Sequence, residues 1–278
     1  MARTRSGLEE ALRDIPQEQR GFVPTMGALH TGHVSLVERA RRENGTVVVS
    51  VFVNPTQFND KEDLRRYPRT PEEDLAMLEK AGADVVFMPE AEEVYPEPDT
   101  RVFDFDGLDK VMEGATRPGH FNGVAQVVSR LFGLVRPARA YFGEKDFQQI
   151  AVVGEMVRQL GTPVEIIAAP IVREPDGLAM SSRNTLLDAE YRAAAPLIYK
   201  ALAAGVKKMK GMTPGEVERF VMETINSDPR LEVIYFNLVN RRTLQGVASW
   251  EEGAKDGIQG CVAVRAGAVR LIDNIRFV

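Results

Sequence analysis

The chain is poor in the residues that build metal and disulfide sites. A single cysteine, Cys261, stands among 278 residues, which excludes an internal disulfide and any zinc site made of thiolates alone. Its place in the valine-rich run CVAVRA predicts a buried structural thiol. There is no excess of positive charge: the net charge is −5, and neither a basic stripe nor an RNA-binding aromatic motif is present, which argues against a nucleic-acid partner. The first twenty residues hold no apolar run of signal-peptide length, and no window approaches the roughly 18 uninterrupted apolar residues of a membrane span. The expectation is a cytoplasmic protein without membrane contact. What is there is ordinary for a globular chain, 44% hydrophobic and 27% charged, so neither a disordered nor a fibrous chain is supported. A chain of this length buries a core without staples, as one large domain or two modest ones.

Over the first ~170 residues, strand-like runs alternate with helical patterns, the signature of a parallel sheet covered on both faces. Thr46 to Val53 is a nearly continuous apolar, β-branched run and is expected centrally in that sheet. Thr70-Pro71-Glu72-Glu73 places a capping threonine, a proline at the first helical position and an early glutamate, and Gly82 ends the pattern of Leu75 and Leu78. Ala83 to Met88 then reads as a strand. The spacing of Val124, Val127, Val128, Leu131 and Val135 predicts a helix over 121–135. A short strand over 140–142, a helix over 146–160 and a strand over 164–169 follow. Beyond Arg173 two helices (188–208 and 213–225) precede three strands (231–239, 260–266 and 269–277), which suggests a separate α+β unit with an antiparallel sheet. The fold class is therefore α/β: a Rossmann-like domain over residues 1–175 and a smaller α+β domain over 176–278.

The three histidines, His30, His33 and His120, all lie in glycine-bearing segments rather than on apolar faces. The segment 22–33 leaves a strand, turns through Gly27 and Gly32 and enters the helical pattern of Val34, Val37 and Ala40. A helix start offers free N–H groups and partial positive charge, and glycine lets a phosphate approach the main chain. The dipole supplies only ~0.3–1 kcal/mol at an exposed terminus, so side-chain donors must add to it. Charge-assisted hydrogen bonds are worth ~1.5–3 kcal/mol each, and two imidazoles three residues apart can converge on one phosphate. Alternatively, one ring caps the helix and the other is exposed; a zinc site lacks a well-placed third ligand.

The segment VPTMGALHTGH (23–33) resembles the ATP-binding His-x-Gly-His element of the nucleotidylyl transferases and class I aminoacyl-tRNA synthetases. Together with FVNPTQF (52–58), YPRTPEEDLAML (67–78), RPGHFNGVAQVV (117–128), YFGEKDFQQ (141–149) and REPDGLAMSSRN (173–184), in that order and spacing, it resembles the pantoate–β-alanine ligases. Thr31 stands where that family more often has glutamate, a change that leaves both histidines in place. The resemblance implies condensation of pantoate with β-alanine at the expense of ATP. A pantoyl-adenylate and pyrophosphate form first, and the amine then displaces AMP. It also implies Mg2+ accompanying ATP and a homodimer.

Site residues follow from the same resemblance. Met26, Gly27, His30 and His33 would contact ATP, with His33 as proton donor, acting as an imidazolium. Gly143, Glu144, Lys145 and Asp146 would form a second ATP element with Lys145 on the phosphates, so that His33, His30 and Lys145 carry the catalysis; read alone, this run is a solvated charge patch. Val172 would touch adenine through its backbone, and Met180, Ser181, Ser182 and Arg183 resemble the superfamily's second ATP signature, otherwise a helix-capping loop. Gln57 and Gln149 would bind pantoate: a neutral amide donates and accepts without adding charge beside a reacting carboxylate. Arg117 and His120 either close over the phosphates or hold a structural loop, and no magnesium ligand is identified. Two other classes stay open: an adenylyltransferase acting on a phosphorylated acceptor, and a nucleotide sensor, although no GxxxxGK[ST] run is present.

Overall fold

Five strands, β1 (Arg20–Thr25), β2 (Thr46–Val51), β3 (Val85–Phe87), β4 (Arg139–Gly143) and β5 (Glu165–Ala169), form an all-parallel sheet in the order β3-β2-β1-β4-β5. The structure is a computed structural model that describes residues 1–58 and 61–278. Every residue of β2 is buried, as its unbroken apolar run requires of a strand covered on both faces. The middle of the sheet is nevertheless β1, with β2 beside it. A continuous apolar run reports two covered faces; it does not encode lateral order.

Helices Thr31–Glu43, Pro71–Ala81, His120–Val135 and Phe147–Leu160 connect or flank these strands, as parallel pairing demands. Val37, Ala40 and Leu78 from two of them pack on Val23, Val47, Val49 and Tyr141 of the sheet. Gly82 ends its helix in the left-handed conformation, at φ 86°, where glycine carries no Cβ penalty. The expected cap at Thr70 differs in detail. Its hydroxyl donates to Asp74 Oδ1 at 3.1 Å and caps no backbone N–H, because a buried carboxylate competes for it. Four short helices, Arg5–Leu12, Lys61–Arg66, Ala91–Val94 and Met112–Thr116, carry too few turns to show a periodicity and are not legible in the sequence.

The remaining strands, β6 (Leu231–Asn240), β7 (Ile258–Ala266) and β8 (Val269–Arg276), form an antiparallel sheet in that order. Ile198, Leu202, Val217 and Val221 from helices Leu197–Lys208 and Pro214–Asn226 share its core with Phe236 and Val262. The helix expected over 188–208 is two, Ala189–Ala194 and Leu197–Lys208, broken at Pro196, whose ring and missing N–H interrupt the ladder. Cys261 is buried in β7, and desolvation pushes its thiol well above the ordinary range.

The chain divides into two compact units. The first comprises residues 1–107, 117–144 and 149–170; the second comprises 108–116, 145–148 and 171–278. The short early segments are bonded into the second unit: Glu113 accepts from Tyr235 Oη at 3.0 Å and from Arg270 at 2.5 Å.

Candidate functional site

The parallel sheet changes winding direction between β1 and β4, and ligands of open α/β sheets bind beyond the strand ends at that point. The loop after β1 turns through two consecutive left-handed residues, Gly27 (φ 83°) and Ala28 (φ 49°). For alanine this costs roughly 1–2 kcal/mol. The buried carboxylate of Asp74 offsets it by accepting from Ala28 N at 2.9 Å and Leu29 N at 2.7 Å, and charge-assisted hydrogen bonds of this kind contribute ~1.5–3 kcal/mol each. Sequence reasoning misses Asp74. Its signal is an acid four residues before Leu78, on the face of an amphipathic helix that should be apolar.

The turn delivers His30 as N-cap of helix Thr31–Glu43. His30 Nδ1 accepts from Gly32 N at 3.1 Å, and His33 Nδ1 accepts from His30 N at 3.4 Å, a capping box built from two imidazoles. Their ring centroids lie 4.1 Å apart. A ring nitrogen that accepts keeps its lone pair, so with these bonds made the ring proton resides on Nε2 and His33 is a neutral imidazole rather than the expected imidazolium. One nitrogen of each ring thus holds the helix start, and the other carries the ring proton.

Gln57 ends the tight turn Pro55–Gln57. Its amide donates to Met26 Sδ at 3.1 Å and accepts from Asn54 Nδ2 at 3.2 Å. Asn54 also donates to Gly123 O and accepts from Tyr95 Oη at 2.9 Å. His120 is buried; its Nδ1 donates to Gln57 O at 2.8 Å, and its Nε2 lies 3.2 Å from a guanidinium nitrogen of Arg117. One nitrogen is engaged by the Gln57 main chain and the other by Arg117 in its own loop, so His120 supports Gln57. Asn54 thus holds the Gln57 amide and His120 its main-chain oxygen, and the role of His120 is invisible in the sequence because it lies far from Gln57 along the chain.

The first unit holds Met26, Gly27, His30, His33, Gln57, Gly143, Glu144 and Gln149. It brings His30 to His33 and Gln57 to Met26.

The second unit holds Lys145, Asp146, Val172, Met180, Ser181, Ser182 and Arg183. Met180 N donates to Val172 O at 3.0 Å, closing a hairpin whose tip bears Gly177 at φ 96°. Ser181 Oγ accepts from Arg183 N at 3.3 Å and caps the short helix Ser182–Leu186. Lys145 Nζ lies 3.8 Å from Asp146 Oδ1. Arg173, in the hairpin, grips Asp273 with two donors at 2.6 and 3.0 Å. Burial raises the Asp273 carboxyl, with Arg173 and the Asn274 N–H pulling the other way.

The architecture is that of an α/β protein whose loop and helix start after β1, at the switch point of the parallel sheet, carry Met26, Gly27, His30 and His33. The sequence model of the family described as pantoate-beta-alanine ligase matches residues 1–276. A pantothenate synthetase of Porphyromonas gingivalis (strain ATCC 33277) is 58% identical over 257 residues, 92% of this chain and 91% of that one. The crystal structure of a pantothenate synthetase of Thermus thermophilus superposes with a TM-score of 0.92 at 49% identity, covering 100% of this chain and 99% of that one. The pantoate-beta-alanine ligase of Francisella tularensis, whose structure is described as complexed with beta-gamma ATP and beta-alanine, gives a TM-score of 0.84 at 33% identity over 99% of this chain and 97% of its own. The chain belongs to the pantoate–β-alanine ligase family.

Proposed function

We propose that this chain condenses pantoate with β-alanine at the expense of ATP, through a pantoyl-adenylate, releasing pyrophosphate and then AMP. A carboxylate is a poor acyl donor. Its attack on the α-phosphorus of ATP makes a mixed anhydride, from which the β-alanine nitrogen displaces AMP as the amide forms and the ammonium protons are lost. No enzyme nucleophile is required; the residues must hold the reactants in line and stabilise charge developing on phosphate oxygens.

The observation that carries this reading is the paired imidazole cap. His30 and His33 each accept a main-chain N–H at Nδ1, so each offers an Nε2–H donor at a helix start, where the free N–H groups and the dipole also favour phosphate. His33 is the donor to the triphosphate, assisted by His30. Met26 and Gly27, in the preceding turn, and Gly143, Glu144 and Asp146 are assigned to ATP by the family's motifs. In the second unit Lys145, Ser181, Ser182 and Arg183 supply further phosphate donors, and Val172 and Met180 lie on the adenine side. Gln57 and Gln149 bind pantoate; for Gln57 the support is an amide held by Met26 and Asn54.

Among the described residues no group of three His, Cys, Asp or Glu side chains could hold a metal ion. The donor set does not fit a protein cage, and Mg2+ belongs with ATP as a phosphate-bound ion, as is usual for this cation. No helix among the described residues is long and apolar enough to cross a membrane, and a cytoplasmic homodimer is the reading that goes with the family.

The deciding experiment omits the amine. With ATP, Mg2+ and pantoate alone, the protein is expected to release pyrophosphate in a pantoate-dependent manner and retain an acyl-adenylate. Adding β-alanine should then liberate AMP and pantothenate. Pyrophosphate release that ignores pantoate but responds to a phosphorylated acceptor would transfer the assignment to an adenylyltransferase.

A further inference from the structure

The sequence motifs leave β8 without a role, yet the middle of this strand carries two deeply buried polar residues, Asp273 (4% exposed) and Asn274 (2%). A buried carboxylate and amide are costly unless bonded, and the antiparallel ladder needs neither side chain. Each is committed to one segment of the second unit. Asp273 takes the paired donors of Arg173, whose guanidinium lies 3.9 Å from the ring centroid of Tyr199 and also donates to Gly177 O at 3.1 Å, so it fixes the hairpin between Val172 and Met180. Asn274 Nδ2 donates to the main-chain oxygen of Lys145 at 3.0 Å. Successive strand residues face opposite sides of a sheet, so β8 holds one segment from each face.

The Asn274 amide cannot turn over freely. Gln259 Nε2, on β7, donates to Asn274 Oδ1 at 2.7 Å, and Arg241 donates to Gln259 Oε1 at 2.8 Å. An amide whose oxygen is engaged this way must present its NH2 to Lys145. The Arg241 guanidinium also lies 5.4 Å from the ring centroid of Phe147, two residues beyond Lys145. A lysine ammonium sits on a flexible four-carbon stem, so its location depends on where the root of that stem is held.

We infer that Asn274 is a positioning residue for adenylation: through the Lys145 carbonyl it sets where the Lys145 ammonium meets the phosphates, with Gln259 as the residue that orients it. The inference rests on the assignment of Lys145 to ATP. It concerns a main-chain contact, the bond from Asn274 Nδ2 to the Lys145 oxygen.

The test is a double-mutant cycle on the full-length protein. Asn274→Ala removes the donor. Asn274→Asp keeps the shape and the bond from Gln259 but sets a carboxylate oxygen against the Lys145 oxygen. Each is made alone and with Lys145→Ala, and each is read by single-turnover pantoate-dependent pyrophosphate release, by ATP affinity and by thermal melting. A displacement of about 1 Å can cost on the order of a hundredfold in rate. The expected result is a ten- to hundredfold loss in folded single variants and no further loss when Lys145 is already alanine, because no ammonium remains to be placed. Equal losses in both backgrounds are the mark of a general structural role and overturn the inference, as does an undiminished rate. If both Asn274 variants unfold, Gln259→Met, which releases the amide while leaving Asn274 in place, is read in the same cycle. If the unaltered protein releases no pyrophosphate with pantoate, the functional assignment fails, and the cycle read in ATP affinity decides the inference separately.

Discussion

At the scale of single residues, two imidazoles hold a helix start through Nδ1 and keep their ring proton on Nε2. His33→Ala removes a donor and a cap together. Loss of one donor to a developing oxyanion costs ~2.7–4 kcal/mol, or about a hundred- to thousandfold in rate, whereas losing a helix cap costs only about 1 kcal/mol. Single-turnover adenylation is therefore expected to fall by about that factor while the protein still unfolds cooperatively near its original midpoint. An unchanged adenylation rate would remove His33 from the mechanism. The histidines are legible in the sequence because only three exist and all lie in glycine-bearing segments. Asp74, Asn54 and Asn274 are not legible, because a buried polar residue looks like a surface one until its distant partners are known. Asp74 alone leaves a trace, as an acid on an apolar helix face.

Among elements, the helix His120–Val135 lies against the turn carrying Gln57, and Gly123 is the point of closest approach. A Cβ there would meet Thr56 O at 2.5 Å and Gln57 Cα at 2.7 Å, and main chain cannot step aside as a side chain tip can. Gly123→Ala should push the Pro55–Gln57 turn off the helix, at a stability cost of about 1–3 kcal/mol typical of overpacking. Steady-state kinetics should show a larger rise in KM for pantoate than for ATP; KM values equal to those of the unaltered enzyme would detach Gln57 from pantoate. Long helices and apolar strands are readable from periodicity to within a few residues, as Pro71–Ala81 and His120–Val135 show. The break at Pro196 escapes the periodicity because apolar spacing continues across it, and the order of β1 and β2 escapes it because burial on two faces is common to both.

Over the whole molecule, acid sensitivity should have an identifiable component at Asp99. Its buried carboxylate accepts from Arg101 Nε at 2.9 Å and from Arg130 Nε at 2.7 Å. The hydrogen bonds from Arg101 and then Arg130 hold it well below the ordinary carboxylate range despite desolvation. A carboxyl whose folded pKa is depressed stabilises the fold above its unfolded value of about 3.9, and the benefit is lost as pH falls from there toward the folded value. Urea midpoints measured from pH 5 down to pH 2.5 should drop more steeply for the unaltered protein than for Asp99→Asn. Parallel curves would show that other carboxylates govern the acid limit.

The second unit is assembled from three stretches of chain, and this limits how the protein can be cut. A fragment beginning at residue 171 would keep all three strands of the antiparallel sheet yet lose Glu113, the acceptor of Tyr235 and Arg270, and the Lys145 oxygen, the acceptor of Asn274. Truncation would expose donors that the intact chain satisfies from upstream. Synthesis of the carboxyl-terminal portion therefore cannot complete its own hydrogen bonding in isolation, and any scheme for swapping this portion between relatives must carry the two upstream inserts with it.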